Sequence, residues 1–531
     1  MRSATLFLWV AAVNVALATT LNPQPRDTCS SNNCLRAFLG RPEEAASLCA
    51  TYTSGAILPT FAASSCSNSP SKVASACSCI ATATAALPPT CDRDNCLRAF
   101  IARPAAATAL CASYKPNEIL PEFAASACDS APSRVQSACA CVYATPTCTV
   151  AAQNDGSDDT PAILDAFDKC SRNAKIVFQN TTYNVNQVMN TTDLYNCEIE
   201  IHGTLVWSIN TTYWLNNSMP VGYQNQSTVW FLGGSKYTVD GFGYGTIDGN
   251  GQVWYNLVKG QSNYPHRPMG LTIWQSSEAI FRGLRFLNGQ MWTMALMHCD
   301  SIIMEDIYVY SKSTNGYPAR NTDGCDTIYC NNITFRRWCV RNGDDAISLK
   351  ANSTNILIED VILEDSLGIA LGSIGQYYGA YETIENVLVR NVTGYGTRYG
   401  GYIKTWTGDQ VDYPPNGGGG GLGYINNITW NDFTLYQLQQ YPIQFGQCTT
   451  FSGTTGNCNS SLFKIKNVNA NNWVGDTAQS YVAYMQCSKA AGGCDGINFN
   501  NLTFTKTGNS SLPVTAYRCR QVSSYSGFTC T

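Results

Sequence analysis

Short runs of strand-forming residues recur along the second half of the chain, with a coarse period near 20 residues between equivalent runs. Such runs, broken by Asn and Gly, occupy residues 333–335, 346–349, 356–358, 369–371 and 387–389. Strands repeated at this period stack as coils, because each coil buries its apolar face only against its neighbours. The pattern predicts an all-β fold, a right-handed parallel β-helix.

Three aspartates occupy matching places in consecutive predicted coils. Asp323 ends an Asn321-Thr322-Asp323 motif, and Asp344 and Asp345 follow it, Asp344 after 21 residues (344 − 323). Equivalent residues of adjacent coils lie about 4.8 Å apart, so we expect the three side chains to form one acidic patch. Like charges at that distance raise the pKa of one carboxyl group. Hydrolysis of a glycosidic bond needs one protonated and one ionised carboxyl group, which makes these residues candidate catalytic groups.

The composition favours an exported protein. Residues 1–18 carry Arg2, an apolar centre and a small-residue cleavage site, which is typical of a secretion signal. The chain has 25 cysteines, which predicts disulfide bonds in such a protein. We found no later apolar run of membrane-spanning length, and no basic run of the kind that binds nucleic acid. We therefore expect a secreted glycoprotein that is monomeric and has no membrane or nucleic-acid partner.

Two cysteine-rich repeats, residues 29–80 and 91–142, precede the β-rich region. Their six cysteines recur with a displacement of 62 residues, for example Cys34 and Cys96. Six cysteines imply three bridges per unit, whose connectivity the spacing does not decide. Ala-rich segments at 42–49 and 104–111 predict helices. The repeats resemble modules of fungal secreted proteins, and either a spacer or contact with cell-wall polysaccharide would fit them.

A predicted helix opens the region 148–531, with Thr160 as its N-cap and Pro161 at its first position. We expect this helix to cover the open end of the β-helix, because an exposed solenoid end invites edge-to-edge pairing. Thirteen cysteines remain here (25 − 12), so at least one has no intramolecular partner. Four pairs close in sequence are candidate bridges: Cys148–Cys170, Cys448–Cys458, Cys487–Cys494 and Cys519–Cys530.

Several short motifs of this region occur in the order found in glycoside hydrolase family 28, which contains polygalacturonases and rhamnogalacturonan hydrolases. They are Gly245-Thr246-Ile247-Asp248-Gly249, Arg267-Pro268, Asn321-Thr322-Asp323-Gly324, Gly343-Asp344-Asp345, Gly372-Ser373-Ile374-Gly375 and Ile403-Lys404. The chain resembles this family over residues 148–531. The resemblance implies that Asp344 is the general acid, that Asp323 and Asp345 activate water, and that the reaction inverts configuration. It also implies a pectic polysaccharide substrate.

The substrate-binding residues depart from the polygalacturonase pattern. Leu367 stands where those enzymes carry a histidine, and Tyr402 stands where they carry an arginine that meets a galacturonate carboxylate. Tyrosine cannot replace a bidentate guanidinium contact, although it can stack on a sugar face. We expect Lys404, Tyr402, Asn321 and His266 to contact substrate.

Rhamnogalacturonan hydrolases share both departures, so the pattern favours a rhamnogalacturonan-type or terminal-rhamnose substrate. An ordinary endo- or exo-polygalacturonase is the alternative. A pectate lyase would share the β-helix but would use Ca²⁺ and β-elimination, and a non-catalytic wall-binding protein is a third possibility. The hydrolase interpretation requires no cofactor and no metal.

Overall fold

The computed structural model describes residues 34, 48–49, 58–66, 69–81, 94–115, 119–142, 146–410, 418–450 and 456–531. Its contacts divide the chain into two compact units, Met1–Ala144 and Thr145–Thr531. The predicted secretion signal, the predicted helix at 42–47 and most of the linker between the repeats lie outside the described residues. None of the helices described combines the length and the apolar character that crossing a membrane requires.

The first unit is helical and bridged by disulfides. Two described bridges, Cys34–Cys66 and Cys49–Cys77, recur as Cys96–Cys128 and Cys111–Cys139, displaced by the predicted 62 residues. The predicted helix after residue 104 is confirmed, with proline in its first turn. The described helices are Thr60–Ser65, Pro70–Ala81, Asn95–Ile101, Pro104–Ser113, Glu122–Ala127 and Pro132–Val142.

The predicted right-handed parallel β-helix is confirmed in the second unit. Its coils contribute strands to three parallel sheets, and equivalent strands of adjacent coils pair in register. The first sheet contains Met189–Tyr195, Trp230–Ser235, the start of Leu271–Arg282, Met294–Met297, Cys325–Ile328, Asp345–Leu349, Gly368–Ile374, Gly401–Trp406, Ile443–Thr449, Tyr481–Gln486 and Ala516–Arg520.

The other two sheets share five long strands that bend from one sheet into the next: Ser353–Glu364, Tyr381–Tyr395, Leu422–Leu438, Lys464–Thr477 and Cys494–Lys506. The second sheet adds Thr147–Val150, Lys175–Phe178, Glu198–Ile201, Thr238–Asp240, the end of Leu271–Arg282, Asp300–Glu305, Asn331–Arg336 and Tyr525–Ser526. The third adds Thr182–Val185, Thr204–Trp207, Thr246–Asp248, Arg285–Leu287, Tyr308–Tyr310 and Cys339–Arg341. Two short antiparallel pairings lie outside these ladders: Met219–Pro220 with Ser227–Thr228, and Asn509–Val514 with the last long strand.

Asparagine at the corners stabilises the stack of coils, as the sequence pattern indicated. Asn355, Asn386 and Asn427 all adopt positive φ, a conformation that asparagine tolerates better than most residues. The side chain of Asn386 donates to that of Asn355 at 3.0 Å, and Asn427 donates to Asn386 at 2.8 Å. Inside the coils, alternate residues form one continuous apolar core.

A helix covers the amino-terminal end of the stack, as predicted. It spans Thr160–Cys170 and buries Ile163 and Phe167 against the core. The prediction of Thr160 as N-cap was wrong by one residue: the N-cap is Asp159, and Thr160 begins the helix. Asp158 accepts both the N–H and the hydroxyl of Thr160, which fixes the chain as it enters the helix. The remaining helices of this unit are Thr211–Asn217 and Gly251–Val258.

The four predicted disulfides of the second unit are confirmed: Cys148–Cys170, Cys448–Cys458, Cys487–Cys494 and Cys519–Cys530. Cys148–Cys170 ties the covering helix to the first strand. The five cysteines left over, Cys197, Cys299, Cys325, Cys330 and Cys339, are free thiols. Burial raises the pKa of the Cys325 thiol, the one nearest in sequence to Asp323, so this group is unreactive at neutral pH.

Candidate active site

The register of two adjacent strands places the acidic residues side by side. Asp323 precedes the strand Cys325–Ile328, and Asp345 begins the strand Asp345–Leu349, which pairs with it. The buried side chain of Asn342 joins the two coils, since its amide donates to the carbonyl oxygens of Thr322 and Asp345, both at 2.8 Å. The motif residues therefore build the loops that carry the carboxylates.

The three carboxylates form one compact cluster. One oxygen of each of Asp323, Asp344 and Asp345 lies within 4.8 Å of the others. The residues are 3%, 8% and 0% exposed, respectively. One oxygen of Asp323 is buried without a hydrogen-bond partner among the described residues. The structure thus brings together the three aspartates that the sequence singled out.

Burial and mutual repulsion alter the proton affinity of this cluster. Burial, with the negative charge of Asp345, raises the pKa of Asp344, although Lys404 and two backbone N–H groups oppose the effect. Burial and the charges of Asp344, Asp326 and Asp345 raise the pKa of Asp323 well above its usual range. The cluster therefore holds a proton at mildly acidic pH, which is the state that a general acid requires.

Two donors from the strand Gly401–Trp406 fix Asp345. The ammonium group of Lys404 donates to one oxygen of Asp345 at 2.6 Å, and the Tyr402 hydroxyl donates to the other. Burial alone would lower the pKa of Lys404, but the three carboxylates outweigh it and raise the value. Both contacts hold the side chain of Asp345 in one orientation. The sequence predicts contact between Tyr402 and substrate; the residue as a whole is 5% exposed, and its ring centre lies 4.8 Å from that of Tyr399.

The other two predicted substrate-binding residues occupy different positions. The backbone N–H of Asn321 donates to Asp344 at 3.0 Å, and its side-chain oxygen accepts the N–H of Asn263 at 2.8 Å. Asn321 therefore orients Asp344 and anchors the loop at 262–263. The side chain of His266 is exposed, whereas its neighbour Arg267 is buried.

A second, fully buried ion pair lies next to the cluster and was not singled out from the sequence. The ammonium group of Lys350 lies 3.2 Å from an oxygen of Asp326 and 4.8 Å from the centre of the Trp292 ring. Burial raises the pKa of Asp326 to about 6, against the opposing charge of Lys350. Asp326 lies between Cys325 and Thr327 in a strand with no other charged residue. That isolated charge is the sequence feature from which a buried ion pair could have been predicted.

Arg267 of the Arg267-Pro268 motif is a further buried charge, and the motif alone does not indicate its role. Its Nε donates to the carbonyl oxygen of Gln290, and its two terminal nitrogens have no hydrogen-bond partner among the described residues. Burial lowers the pKa of Arg267 to about 10, while the charges of Asp344 and Asp323 oppose that change. The guanidinium thus supplies positive charge on the opposite flank from Lys404.

A loop crosses the face of the first sheet on one side of the acidic cluster. Because the strands are parallel, segments that precede them lie at one edge of the sheet and segments that follow them lie at the other. Gln224 precedes the strand Trp230–Ser235, yet its backbone N–H donates to the Tyr377 hydroxyl at 2.7 Å, and its side chain donates to Gln376 at 2.8 Å. Residues 376 and 377 follow the strand Gly368–Ile374.

Aromatic packing reinforces this crossing, which we call the cross-sheet bridge (residues 219–228 with 376–377). Tyr223 is buried and meets Tyr329 and Tyr377 at ring-centre distances of 6.2 and 5.7 Å. It packs over apolar side chains that project from the sheet, among them Met297 and Ile328. The bridge starts before a strand that precedes the acidic cluster and ends on residues that follow the strand next to Asp345–Leu349, so it covers part of the first sheet beside the cluster.

Comparison with known proteins gives the family. The model of glycosyl hydrolases family 28 matches residues 177–527. Alpha-L-rhamnosidase rgxB of Aspergillus niger is 49% identical over 374 residues, which cover 70% of this chain and 87% of that protein. An exopolygalacturonase of Cochliobolus carbonum is 32% identical over 373 residues, which cover 69% of this chain and 82% of that protein.

A solved structure agrees with this assignment. The endo-xylogalacturonan hydrolase of Aspergillus tubingensis superposes with a TM-score of 0.58 and 25% identity, covering 72% of this chain and 98% of that chain. The predicted membership is therefore confirmed for the β-helix, and the matched family contains hydrolases rather than the lyases considered above. The chain belongs to glycosyl hydrolases family 28 and is a glycosidase.

Proposed function

We propose that this protein removes terminal sugars from the pectic backbone by inverting hydrolysis and that it prefers rhamnose linked to galacturonate. The observation that carries the proposal is the buried acidic cluster, in which Asp345 is held by Lys404 and by a tyrosine at the position of the missing arginine. The relatedness to a rhamnosidase supports the choice of sugar.

In the proposed reaction, Asp344 is the general acid. Its carboxyl proton passes to the glycosidic oxygen as the bond from that oxygen to the anomeric carbon breaks. A water molecule forms the new bond to the anomeric carbon and loses a proton to Asp345, while Asp323 positions the water. The proton taken up by Asp345 is later exchanged with solvent, and Asp344 is reprotonated, so the net change is the addition of one water molecule.

Inversion is proposed although the carboxylates lie close together. Inverting glycosidases commonly separate their carboxyl groups by roughly 6.5–9.5 Å and retaining ones by about 5 Å, and oxygens of this cluster approach within 4.8 Å. We propose the stereochemistry that the family resemblance implied, and proton NMR of the first-formed sugar tests it.

Terminal action is supported by the cross-sheet bridge. A polysaccharide bound along the first sheet would meet Tyr223 and Gln224 on the side of the covering helix. An internal bond needs chain on both sides of the cluster, whereas a terminal bond needs it on one side only. The bridge therefore favours removal of an end residue.

The alternative substrate is homogalacturonan. Lys404 could meet a galacturonate carboxylate, but its ammonium group is already engaged by Asp345, and the nearby Lys350 is engaged by Asp326. Binding a uronate at the cleavage point would require Lys404 to be shared. This is why we place a neutral sugar there.

The direct test uses a synthetic aryl α-L-rhamnoside, rhamnogalacturonan oligosaccharides with rhamnose at the end, and polygalacturonate. Release of rhamnose from the first two supports the proposal. Release of galacturonate from polygalacturonate alone establishes the alternative, and binding without any hydrolysis establishes a non-catalytic wall protein.

The protein's location and the role of its first unit are part of the same proposal. The disulfides of both units fit an oxidising compartment, and we propose secretion as a monomer. The two cysteine-rich repeats (29–80 and 91–142) would then either space the catalytic region 148–531 from the wall or bind wall polysaccharide. Binding of the isolated repeats to insoluble pectin, measured by co-sedimentation, separates these roles.

A further inference from the structure

A row of tyrosines extends from the acidic cluster in the direction away from the cross-sheet bridge. It consists of Tyr402, Tyr399, Tyr441, Tyr484 and Tyr481, which we call the tyrosine row. Ring centres lie 4.8 Å apart for Tyr399 and Tyr402 and 5.1 Å apart for Tyr441 and Tyr484. Tyr441 packs against the cluster that contains Tyr399 and Tyr402, so the row is continuous.

The row follows the same edge of the first sheet as the carboxylates. Asp345 begins its strand, and Tyr399, Tyr441 and Tyr481 lie just before or at the first residue of later strands. Tyr402 and Tyr484 occupy the same register position, with Gln444 between them. The row therefore continues the surface on which the catalytic groups lie.

Two arginines lie over this row. The guanidinium carbon of Arg398 is 5.4 Å from the centre of the Tyr399 ring. That of Arg518 is 5.2 Å from Tyr484 and 5.9 Å from Tyr481. Arg518 continues the register from Tyr402, three coils further on, or about 14 Å away at the usual spacing. Arg398 is exposed and Arg518 half-buried.

Neither of these arginines has an acidic partner among the residues that the structure describes. On the second and third sheets, by contrast, several arginines are paired: Arg282 with Asp240, Arg336 with Glu305 and Arg390 with Glu359. Unpaired guanidinium groups spaced along an aromatic surface suit a chain that alternates sugar rings with carboxylates, because the rings stack and the carboxylates accept hydrogen bonds.

We propose that the half-buried part of the tyrosine row, Tyr441, Tyr481 and Tyr484, binds the polymer that extends from the cleavage point and that Arg398 and Arg518 bind its uronate carboxylates. The inference rests on the proposed function and adds the residues that recognise the rest of the substrate. Polygalacturonases carry an arginine at the position of Tyr402. Arg398 lies four residues before Tyr402, so it supplies a guanidinium group close to that position. The terminal sugar lies at the carboxylates, and the acidic remainder lies along the row.

The experiment compares Arg398→Gln and Arg518→Gln with Arg285→Gln as a matched control. Arg285 also lies over a tyrosine, 5.0 Å from the centre of the Tyr308 ring, but on the third sheet. For each protein, kcat/KM is measured on an aryl α-L-rhamnoside and on rhamnose-ended rhamnogalacturonan oligosaccharides of increasing length. The ratio of long to short substrate should fall about tenfold in the two row variants, the expected loss of one hydrogen bond to a charged group. It should not change in the control.

The same oligosaccharides with their carboxylates reduced to alcohols identify the group that is bound. On these reduced oligosaccharides, the wild-type protein should lose its preference for long substrates. The ratio of long to short substrate should then be the same in the row variants as in the wild-type protein. An unchanged ratio in both row variants, an equal fall in Arg285→Gln, or an equal effect of the variants on reduced oligosaccharides would each overturn the inference.

A binding measurement separates this inference from the proposed function. Calorimetry with the Asp344→Asn protein, with and without Arg518→Gln, measures affinity for the acidic oligosaccharide in the absence of turnover. About tenfold weaker binding in the double variant supports the row even if the wild-type protein proves inactive on rhamnosides. Equal binding rejects the row, whatever the activity of the wild-type protein.

Discussion

Replacing Lys404 with methionine should shift the alkaline limb of the pH profile of activity upward as well as reduce the rate. Lys404 donates to Asp345 at 2.6 Å, and its charge lowers the pKa of Asp344. A hydrogen bond between charged groups contributes roughly 2 kcal/mol, which corresponds to about a 30-fold loss of kcat/KM if the bond is needed in the transition state.

The direction of the pH shift follows from the same contact. Without the ammonium group, the positive charge that lowers the pKa of Asp344 is gone. The pKa of Asp344 therefore rises, so the alkaline limb, above which the general acid is deprotonated, moves to higher pH. The assay is kcat/KM on an aryl α-L-rhamnoside from pH 3 to 8.

A matched variant separates charge from hydrogen bonding. Tyr402→Phe removes only the hydroxyl that donates to Asp345, so it should cost about 1 kcal/mol, or roughly fivefold, and should leave the alkaline limb in place because no charge is lost. The reasoning is refuted if Lys404→Met reduces the rate without moving the alkaline limb, or if Tyr402→Phe shifts that limb as far as Lys404→Met does.

Three further predictions concern the support of the site. The pKa of Asp326 is raised to about 6, so Asp326 stabilises the fold most fully below about pH 4, and this stability is lost as the pH rises through 6. Asp326→Asn should therefore flatten the curve of unfolding free energy against pH between these values. An unaltered curve would contradict the assignment. Replacing both Cys148 and Cys170 with serine removes a disulfide that closes a 22-residue loop. The free energy of unfolding, measured with denaturant, should fall by about 3 kcal/mol. A fall of less than about 1 kcal/mol would show that packing alone holds the covering helix. Replacing both Tyr223 and Gln224 with alanine should weaken the cross-sheet bridge and increase cleavage at internal bonds. Internal cleavage is measured as a larger fall in the viscosity of the polysaccharide per bond broken. Unchanged products would mean that the bridge does not determine terminal action.

The features predicted correctly from the sequence were those set by local spacing. The coil period placed Asp323 next to Asp344 and Asp345, because the strands that follow them pair with an offset of 22 residues (347 − 325), close to the predicted period. Later coils are longer, up to 42 residues (443 − 401). The four disulfides of the second unit join cysteines only 7 to 22 residues apart, so few partners competed. The N-cap was misplaced because Asp159 and Thr160 are both good cap residues and only the geometry of the chain decides between them.

The features that were missed depend on contacts between distant coils. Tyr402 lies 57 residues from Asp345, and its hydroxyl reaches that carboxylate only because the one intervening strand of the sheet, Gly368–Ile374, pairs with both neighbours in one particular register. The cross-sheet bridge joins Gln224 to a residue 153 positions away, through loops whose paths carry no periodic signal. Asp326 and Lys350 looked like ordinary charges until their burial was known.

The central claim is that Asp344 protonates the leaving oxygen during removal of a terminal rhamnose. The measurement that tests it most directly is product analysis of rhamnogalacturonan oligosaccharides and of polygalacturonate, with the wild-type protein and with Asp344→Asn. The account predicts free rhamnose from the first substrate, little product from the second, and loss of rhamnose release in the variant. Undiminished release by Asp344→Asn, or galacturonate released only from polygalacturonate, would contradict it.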